Sequence, residues 1–260
     1  MNNKIPIFEY TKQKNMRFIA IIPARYASTR FPGKPLAIIN NKPMIQLVYE
    51  QCLKVFEHVI VATDDQRIAG AVKIFNGEVV MTNENHPSGT DRVAEAAQLL
   101  SEKYDFDVVV NVQGDEPFVE PDQLKQIQKC FDDETTDIAT LVTPIEKPEI
   151  LFDPNKVKAV LGIEGDTLYF SRQPVPYLRD YPESEWYLQH DYFLHMGLYA
   201  YKANVLDAIT KLKQTPLEKA EKLEQLRWLE NGFKIKAAIT SHANFGIDTP
   251  QDLEKVSNTR

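Results

Sequence analysis

Long apolar runs are missing from this sequence of 260 residues. No stretch approaches the roughly 18 consecutive apolar residues of a spanning helix, and the N-terminus has no apolar core followed by a small-residue cleavage site. The expectation is a protein neither spanning nor exported. Cysteine is scarce: Cys52 and Cys130 sit in helix-like stretches with no CxxC pair. That excludes a disulfide framework and predicts two buried free thiols in a reducing cytoplasm. Positive charge is in deficit, with 30 Lys and Arg against 37 Asp and Glu and a formal net charge of -7. A broad electrostatic footprint for nucleic acid or an anionic membrane is thereby excluded, so any anion site must be local. Glycine fingerprints are absent too: neither GxGxxG nor GxxxxGK follows an early strand, which argues against a dinucleotide-dependent oxidoreductase.

What is present is an ordinary globular composition, 43% hydrophobic and 26% charged, in a chain long enough to bury a sizeable core. Residues 1 to 16 are polar and lysine-bearing and are set apart as an N-terminal extension, with Met16 a candidate start. From there short β-branched runs alternate with helical periods: strands at 18 to 22, 58 to 63, 77 to 82 and 108 to 112, helices at 43 to 56, 65 to 75, 89 to 104 and 121 to 133. This rhythm predicts an α/β fold with a mostly parallel central sheet and helices on both faces. Beyond Pro144 strand-like pieces (157 to 163, 167 to 171, 196 to 201) are separated by Pro, Tyr and charged residues. Helices return at 202 to 213 and 216 to 231. The expectation is one domain, 17 to 260, with a lid or dimerisation insertion around 145 to 200.

In open parallel sheets the loops after the strands form the ligand crevice, so the residues there come first. The loop after the first strand, Pro23 to Pro35, offers Arg25, Arg30 and Lys34, whose charges suit a triphosphate; a solvated surface loop is the bland alternative. The strand at 108 to 112 runs into Gln113-Gly114-Asp115-Glu116-Pro117, with Asp115 at the crevice and Gly114 permitting a close backbone approach. Near the C-terminus, Pro250 at the first helical position makes Thr249 the N-cap and Asp252 the third helical residue. Asp248 is then left over to complete a Mg²⁺ site with Asp115, although a turn or cap role for Asp115 is the ordinary reading. Ser88, Gly89 and Arg92 open the helix at 89; amides there can meet a base edge or a phosphate, and Ser88 is first of all a cap.

These segments together resemble the 3-deoxy-manno-octulosonate (Kdo) cytidylyltransferases. The resemblance is carried by IIPARYASTRFPGKPL (21 to 36), VATDD (61 to 65), SGTDR (88 to 92), NVQGDEP (111 to 117), LYFSRQPVP (168 to 176), HMGLYAY (195 to 201), PLEKAEKLEQLRWLENG (216 to 232) and GIDTPQDL (246 to 253). It spans almost everything after Met16. It implies a nucleotidyltransferase fold, a homodimer, Mg²⁺ dependence, and transfer of CMP from CTP to Kdo with release of pyrophosphate, a step of lipopolysaccharide precursor synthesis. Arg25, Arg30 and Lys34 are then the CTP phosphate ligands, Asp115 and Asp248 the metal ligands, and Gln113, Arg172, His195, Tyr199 and Glu218 the sugar-side residues. Arg172 suits a sugar carboxylate because a guanidinium can take both oxygens, whereas His195 and Tyr199 also fit a hydrogen-bonded core. Leu217, Leu223, Leu226 and Leu229 form a packing stripe, and Glu218 and Glu224 are the two glutamates there able to reach substrate hydroxyls. The alternatives are a nucleotidyltransferase for another acidic sugar, such as an amino analogue of Kdo, and a nucleotide-binding module without chemistry.

Overall fold

The computed structural model describes residues 16–27, 31–242, 246–247 and 249–257. The chain opens with β1 (Phe18–Ala24), a ribbon of β2 (Ile38–Ile39) and β3 (Lys42–Pro43), α1 (Met44–Leu53), β4 (His58–Thr63), α2 (Gln66–Ile74) and β5 (Glu78–Met81). It continues with α3 (Gly89–Leu100), β6 (Val108–Asn111), α4 (Pro121–Lys129), β7 (Ile138–Pro144), α5 (Pro148–Leu151), β8 (Lys158–Leu161) and β9 (Thr167–Ser171). The remainder is α6 (Trp186–Gln189), β10 (Phe193–Lys202), α7 (Ala203–Thr210), α8 (Pro216–Glu221), α9 (Glu224–Glu230), β11 (Ile235–Ile239) and α10 (Pro250–Ser257).

The main sheet has the order β11-β7-β10-β6-β1-β4-β5. Its strands are parallel except β10, which lies antiparallel between β6 and β7. Residue alternation along β1 shows why helices cover both faces. Ala20 and Ile22 pack with Ile45 and Val48 of α1, Val72 of α2 and Leu124 of α4. Ile19 and Ile21 pack with Val93 and Ala96 of α3, Val205 of α7 and Leu226 of α9. The predicted fold class holds, and Cys52 and Cys130 are free and buried as expected. Among the described residues no helix is long and apolar enough to cross a membrane.

Three differences from the sequence reading matter. First, β7 and β11 extend the sheet beyond the predicted strands; β7 runs beside β10, from Ile138 opposite Tyr201 to Pro144 opposite Phe193. Second, the helix expected over 216–231 is two helices, because Lys222 takes the left-handed conformation (φ 56°) and ends α8. Leu217 is consequently exposed, while Leu223 and Leu226 are buried, so the apolar stripe does not run through. Third, the stretch around 145–200 divides. Ile145, Leu151, Trp186 and Tyr192 form a small core of their own, whereas from Phe193 onward the chain is a strand of the main sheet.

The hairpin β8-β9 hangs on the start of β10: Phe193 and Leu194 pair with Ala159 and Lys158, which pair in turn with Phe170 and Ser171. Because β10 is antiparallel to β6, its first residues run past the C-terminal end of that strand. The small antiparallel strip is thus brought to the crevice side of the parallel sheet.

Candidate active site

The C-terminal ends of β1 and β6 are neighbours, and the loops leaving them meet over a cleft of about 250 Å³. Its lining includes Arg25, Lys34, Ser88, Gly89, Arg92 and Asp115, six of the residues expected at the nucleotide and metal end, together with Gln113, expected on the sugar side. The β1 loop folds back on itself through a bond from the Gly33 amide to the Tyr26 carbonyl (2.9 Å). Gly33 has φ 71°, a region open to glycine without Cβ strain. The turn that begins there carries the Lys34 ammonium to 2.5 Å from Asp115 Oδ2. Gly114 explains how the two loops approach: a Cβ at that position would stand 2.9 Å from the Pro23 carbonyl oxygen, so only glycine fits without moving backbone.

The opposite wall is the start of α3. Ser88 caps the helix, accepting from the Asp91 amide at 3.1 Å, and with Gly89, the first helical residue, it lines the cleft. Arg92 lines the same wall, but it is buried, donating to Thr82 Oγ1 (2.6 Å) and lying 3.4 Å from Asp64 Oδ2. Its visible work is to tie α3 to the ends of β4 and β5. His86, which the sequence reading did not single out, also lines the cleft and is held by Glu95 at 2.5 Å. A histidine preceding Pro87 offers no periodic signal, so position after β5 was the available clue.

Arg30 and Asp248 lie outside the described residues. Around Asp248 the expected cap is present: Thr249 Oγ1 accepts from the Asp252 amide (3.2 Å), and Asp252 Oδ2 accepts from the Thr249 amide (3.1 Å). The Ile247 amide donates to the Asp115 carbonyl at 3.0 Å, and the Ile247 side chain is fully buried beside Ile39 and Met44. Residues far apart in sequence are therefore tied together at the backbone of Asp115. Among the described residues no cluster of three or more His, Cys, Asp or Glu is gathered as a metal cage. A hard cation such as Mg²⁺ does not require one, since it retains waters and takes one or two carboxylates together with phosphate oxygens. Asp115, a partly exposed carboxylate that already faces one cation, fits that role.

On the other side, β8 separates Arg172 from His195 by two strand spacings, roughly 10 Å of backbone. His195 is half-buried, its ring edge-on to Phe170 (5.0 Å) and its Nε2 3.2 Å from Thr140 Oγ1. Burial pushes its pKa down to about 3, so the imidazole is neutral at physiological pH and offers one donor and one acceptor. Tyr199 lies on β10 opposite Asn111, and its ring is 5.2 Å from His195. Its hydroxyl is buried and finds no hydrogen-bond partner among the described residues. Burial, then the nearby Tyr201 and the charge of Glu224, hold its pKa well above the ordinary phenol value, so it remains a donor.

Glu218 behaves differently from the expectation. It is the third residue of α8 in a capping box with Thr215, it is buried, and it lies 3.1 Å from Arg227 Nε. These contacts commit it to the helix start. Glu224 instead reaches the cleft wall: Thr90 Oγ1 donates to its Oε2 at 2.7 Å, Ser88 Oγ lies 3.4 Å from its Oε1, and Arg227 pairs with it at 3.2 Å. Burial raises its pKa despite those partners. It joins the nucleotide wall to the face that carries Tyr199.

Comparison with known proteins shows which family the chain resembles. A family model described as cytidylyltransferase matches residues 19–235. The 3-deoxy-manno-octulosonate cytidylyltransferase of Parabacteroides distasonis is 57% identical over 92% of this chain and 96% of its own length. The protein of the same name from Bacteroides thetaiotaomicron is 54% identical, again over 92% of this chain and 96% of its own. Among solved structures, a CMP:2-keto-3-deoxy-manno-octonic acid synthetase complexed with CTP superposes with a TM-score of 0.85 at 41% identity. The match covers 93% of this chain and 97% of that one.

Proposed function

This chain belongs to the 3-deoxy-manno-octulosonate cytidylyltransferases, and from that premise we propose that it transfers CMP from CTP to the anomeric hydroxyl of Kdo, releasing pyrophosphate. The observation that carries the proposal is the juxtaposition, at the ends of neighbouring strands, of the Lys34-Asp115 pair with the amide-bearing start of α3. This is a cleft built for a polyanion and a charge-neutralising carboxylate in a protein whose net charge is negative.

Arg25 and Lys34, with Arg30 on the same loop, face the charge that gathers on the departing pyrophosphate, and Ser88 and Gly89 place backbone donors along the nucleotide. Magnesium, when bound, supplies positive charge at the reacting phosphate, and Asp115 and Asp248 would hold it. Gln113 follows directly on β6 between the two halves. Arg172 meets the sugar carboxylate with paired donors, and neutral His195 and protonated Tyr199 bind sugar hydroxyls. Glu224 takes the place among these residues first assigned to Glu218. No side chain forms a covalent bond to the substrate; positioning and fixed charges lower the barrier to an in-line displacement at the α-phosphorus.

We assign the enzyme to the cytoplasm, as a homodimer whose protomers meet through the subdomain around residues 145–192, with lipopolysaccharide precursor synthesis as its pathway. Purified protein supplied with CTP, Mg²⁺ and Kdo is expected to release pyrophosphate and yield a product with the mass of CMP-Kdo. Release only with an amino analogue would reassign the sugar, and CTP binding with no release from any acidic sugar would remove the enzymatic reading.

A further inference from the structure

Lys158 is 1% exposed, which is unusual for a lysine. Its ammonium has three protons and three acceptors: the carbonyl oxygens of Asp153 (3.0 Å), Lys156 (2.6 Å) and Arg172. Among the described residues no carboxylate neutralises it by direct contact, and these three partners are all backbone. Glu221, the last residue of α8, is placed in a complementary way. Its Oε1 accepts from Ser171 Oγ (2.9 Å), its Oε2 from the Arg172 amide (2.9 Å), and its carbonyl oxygen from Arg172 Nε (2.7 Å).

These contacts form a closed circuit around one residue. Arg172 is held at its amide and at Nε by Glu221, at its carbonyl by Lys158, and at Nη1 by the Pro154 carbonyl (2.9 Å). Pro154 lies in the loop whose carbonyls at 153 and 156 are themselves gripped by Lys158. Nη2 of Arg172, with two N–H groups, donates to nothing among the described residues. Lys158 also pairs across its strand with Leu194, next to His195. An apolar side chain could fill the same buried volume without the cost of desolvating a charge, so filling space does not account for the lysine.

We propose that Lys158 and Glu221 are positioning residues for Arg172: together they fix its backbone and two of its guanidinium nitrogens so that the remaining N–H groups present one defined edge to the carboxylate of the acidic sugar. The inference rests on Arg172 being the ligand of that carboxylate, as argued above. It goes further in assigning the orientation, and hence sugar affinity, to two residues that touch no substrate.

Steady-state kinetics of the full-length enzyme with CTP and Kdo test it through Lys158→Met and Glu221→Gln. Each variant is expected to raise KM for the sugar by about tenfold or more while KM for CTP stays within about twofold, because loss of the restraint leaves the nucleotide wall untouched. Arg172→Met examines the underlying reading by itself: an unchanged sugar KM there removes Arg172 as the ligand whatever the other variants do. If Arg172→Met raises the sugar KM and both positioning variants do not, the positioning role is overturned and the ligand role stands. The double variants close the test. Each positioning change is expected to add little on an Arg172→Met background; full additivity, or equal shifts in both KM values, would mark a general structural role and overturn the proposal. Should Lys158→Met fail to fold, Glu221→Gln, which changes one oxygen to an amide, decides.

Discussion

The two parts of the candidate site, the cleft at the ends of the parallel strands and the antiparallel strip beside it, are built on different principles. The half proposed for the nucleotide consists of loops at the ends of parallel strands, held by backbone: the Gly33 amide on Tyr26, Gly114 against the Pro23 carbonyl, the Ile247 amide on Asp115. The half proposed for the sugar consists of side chains on antiparallel strands and short helices, held by other side chains: Lys158 and Glu221 around Arg172, Arg227 and Thr90 around Glu224. Phosphates are alike in every nucleotide, and a backbone cradle recognises them without depending on particular side chains. A sugar is distinguished by where its carboxylate and hydroxyls lie, and a cage of oriented side chains can respond to that. The difference implies that changes in the first half damage turnover or folding, while changes in the second half alter which substrate is held.

The largest effect expected from this contrast is at Asp115. Asp115→Asn keeps the shape and removes the charge, and kcat should fall by about 10² to 10³, the amount associated with losing one electrostatic element of a preorganised site. Thermal stability should change little, because the amide oxygen of the substituted side chain can still accept a hydrogen bond from Lys34. A variant that retained turnover within tenfold, by a pyrophosphate-release assay, would break the assignment of chemistry to the nucleotide half.

Next in size is a pair of glycines, one on each side. A Cβ at position 114 meets backbone oxygen at 2.9 Å, whereas one at position 197 on β10 meets only Glu116 Oε1, at 4.0 Å. Gly114→Ala should destabilise by about 1 to 3 kcal/mol, the range for overpacking against atoms that cannot rotate away. Gly197→Ala should stay within about 0.5 kcal/mol. Urea unfolding of both variants measures the difference, and equal losses would mean that the backbone-built half is no more tightly specified than the other.

The same contrast explains what could be read from the chain. The strand rhythm, the placement of Arg25 and Lys34 on the loop after β1 and that of Asp115 after β6 were legible because parallel strands declare themselves by local apolar runs and place the residues of the crevice immediately afterwards. The capping role of Thr249 and Asp252 was legible for the same local reason. The grouping of Arg172 with His195 comes only from the family resemblance and not from any local pattern, since it depends on β8 lying between two strands brought together by long-range register. Glu218 and Glu224 are not told apart by the apolar period of residues 216–231, which suggests one continuous helix. Its break occurs at a lysine with positive φ, which has no sequence signature. One signal was available: Thr215 followed three residues later by Glu218 is a capping box, and it predicts that this glutamate is consumed by the helix start. The burial of Lys158 likewise has no local signal, since it depends on carbonyls at 153, 156 and 172 gathered by the fold.

The smallest effect, visible as a slope in pH rather than a loss, concerns the glutamate that joins the halves. Glu224 has its pKa raised in the folded protein, chiefly by burial, against the opposing help of Thr90 and Arg227. A carboxyl group whose folded pKa exceeds its unfolded value contributes stability that is fully present below the unfolded pKa and is lost as pH rises through the folded pKa. Glu224→Gln abolishes that titration while keeping an oxygen for Thr90. The difference in Tm, variant minus parent, should therefore grow as pH is taken from about 4 to about 8, by scanning calorimetry at fixed salt. The sign is the informative part. A difference that shrinks over the same interval would mean that the ionised carboxylate is favoured by Thr90 and Arg227 more than burial opposes it. In that case the sugar half would be organised around a fixed negative charge, rather than around a group whose charge is held there at a cost.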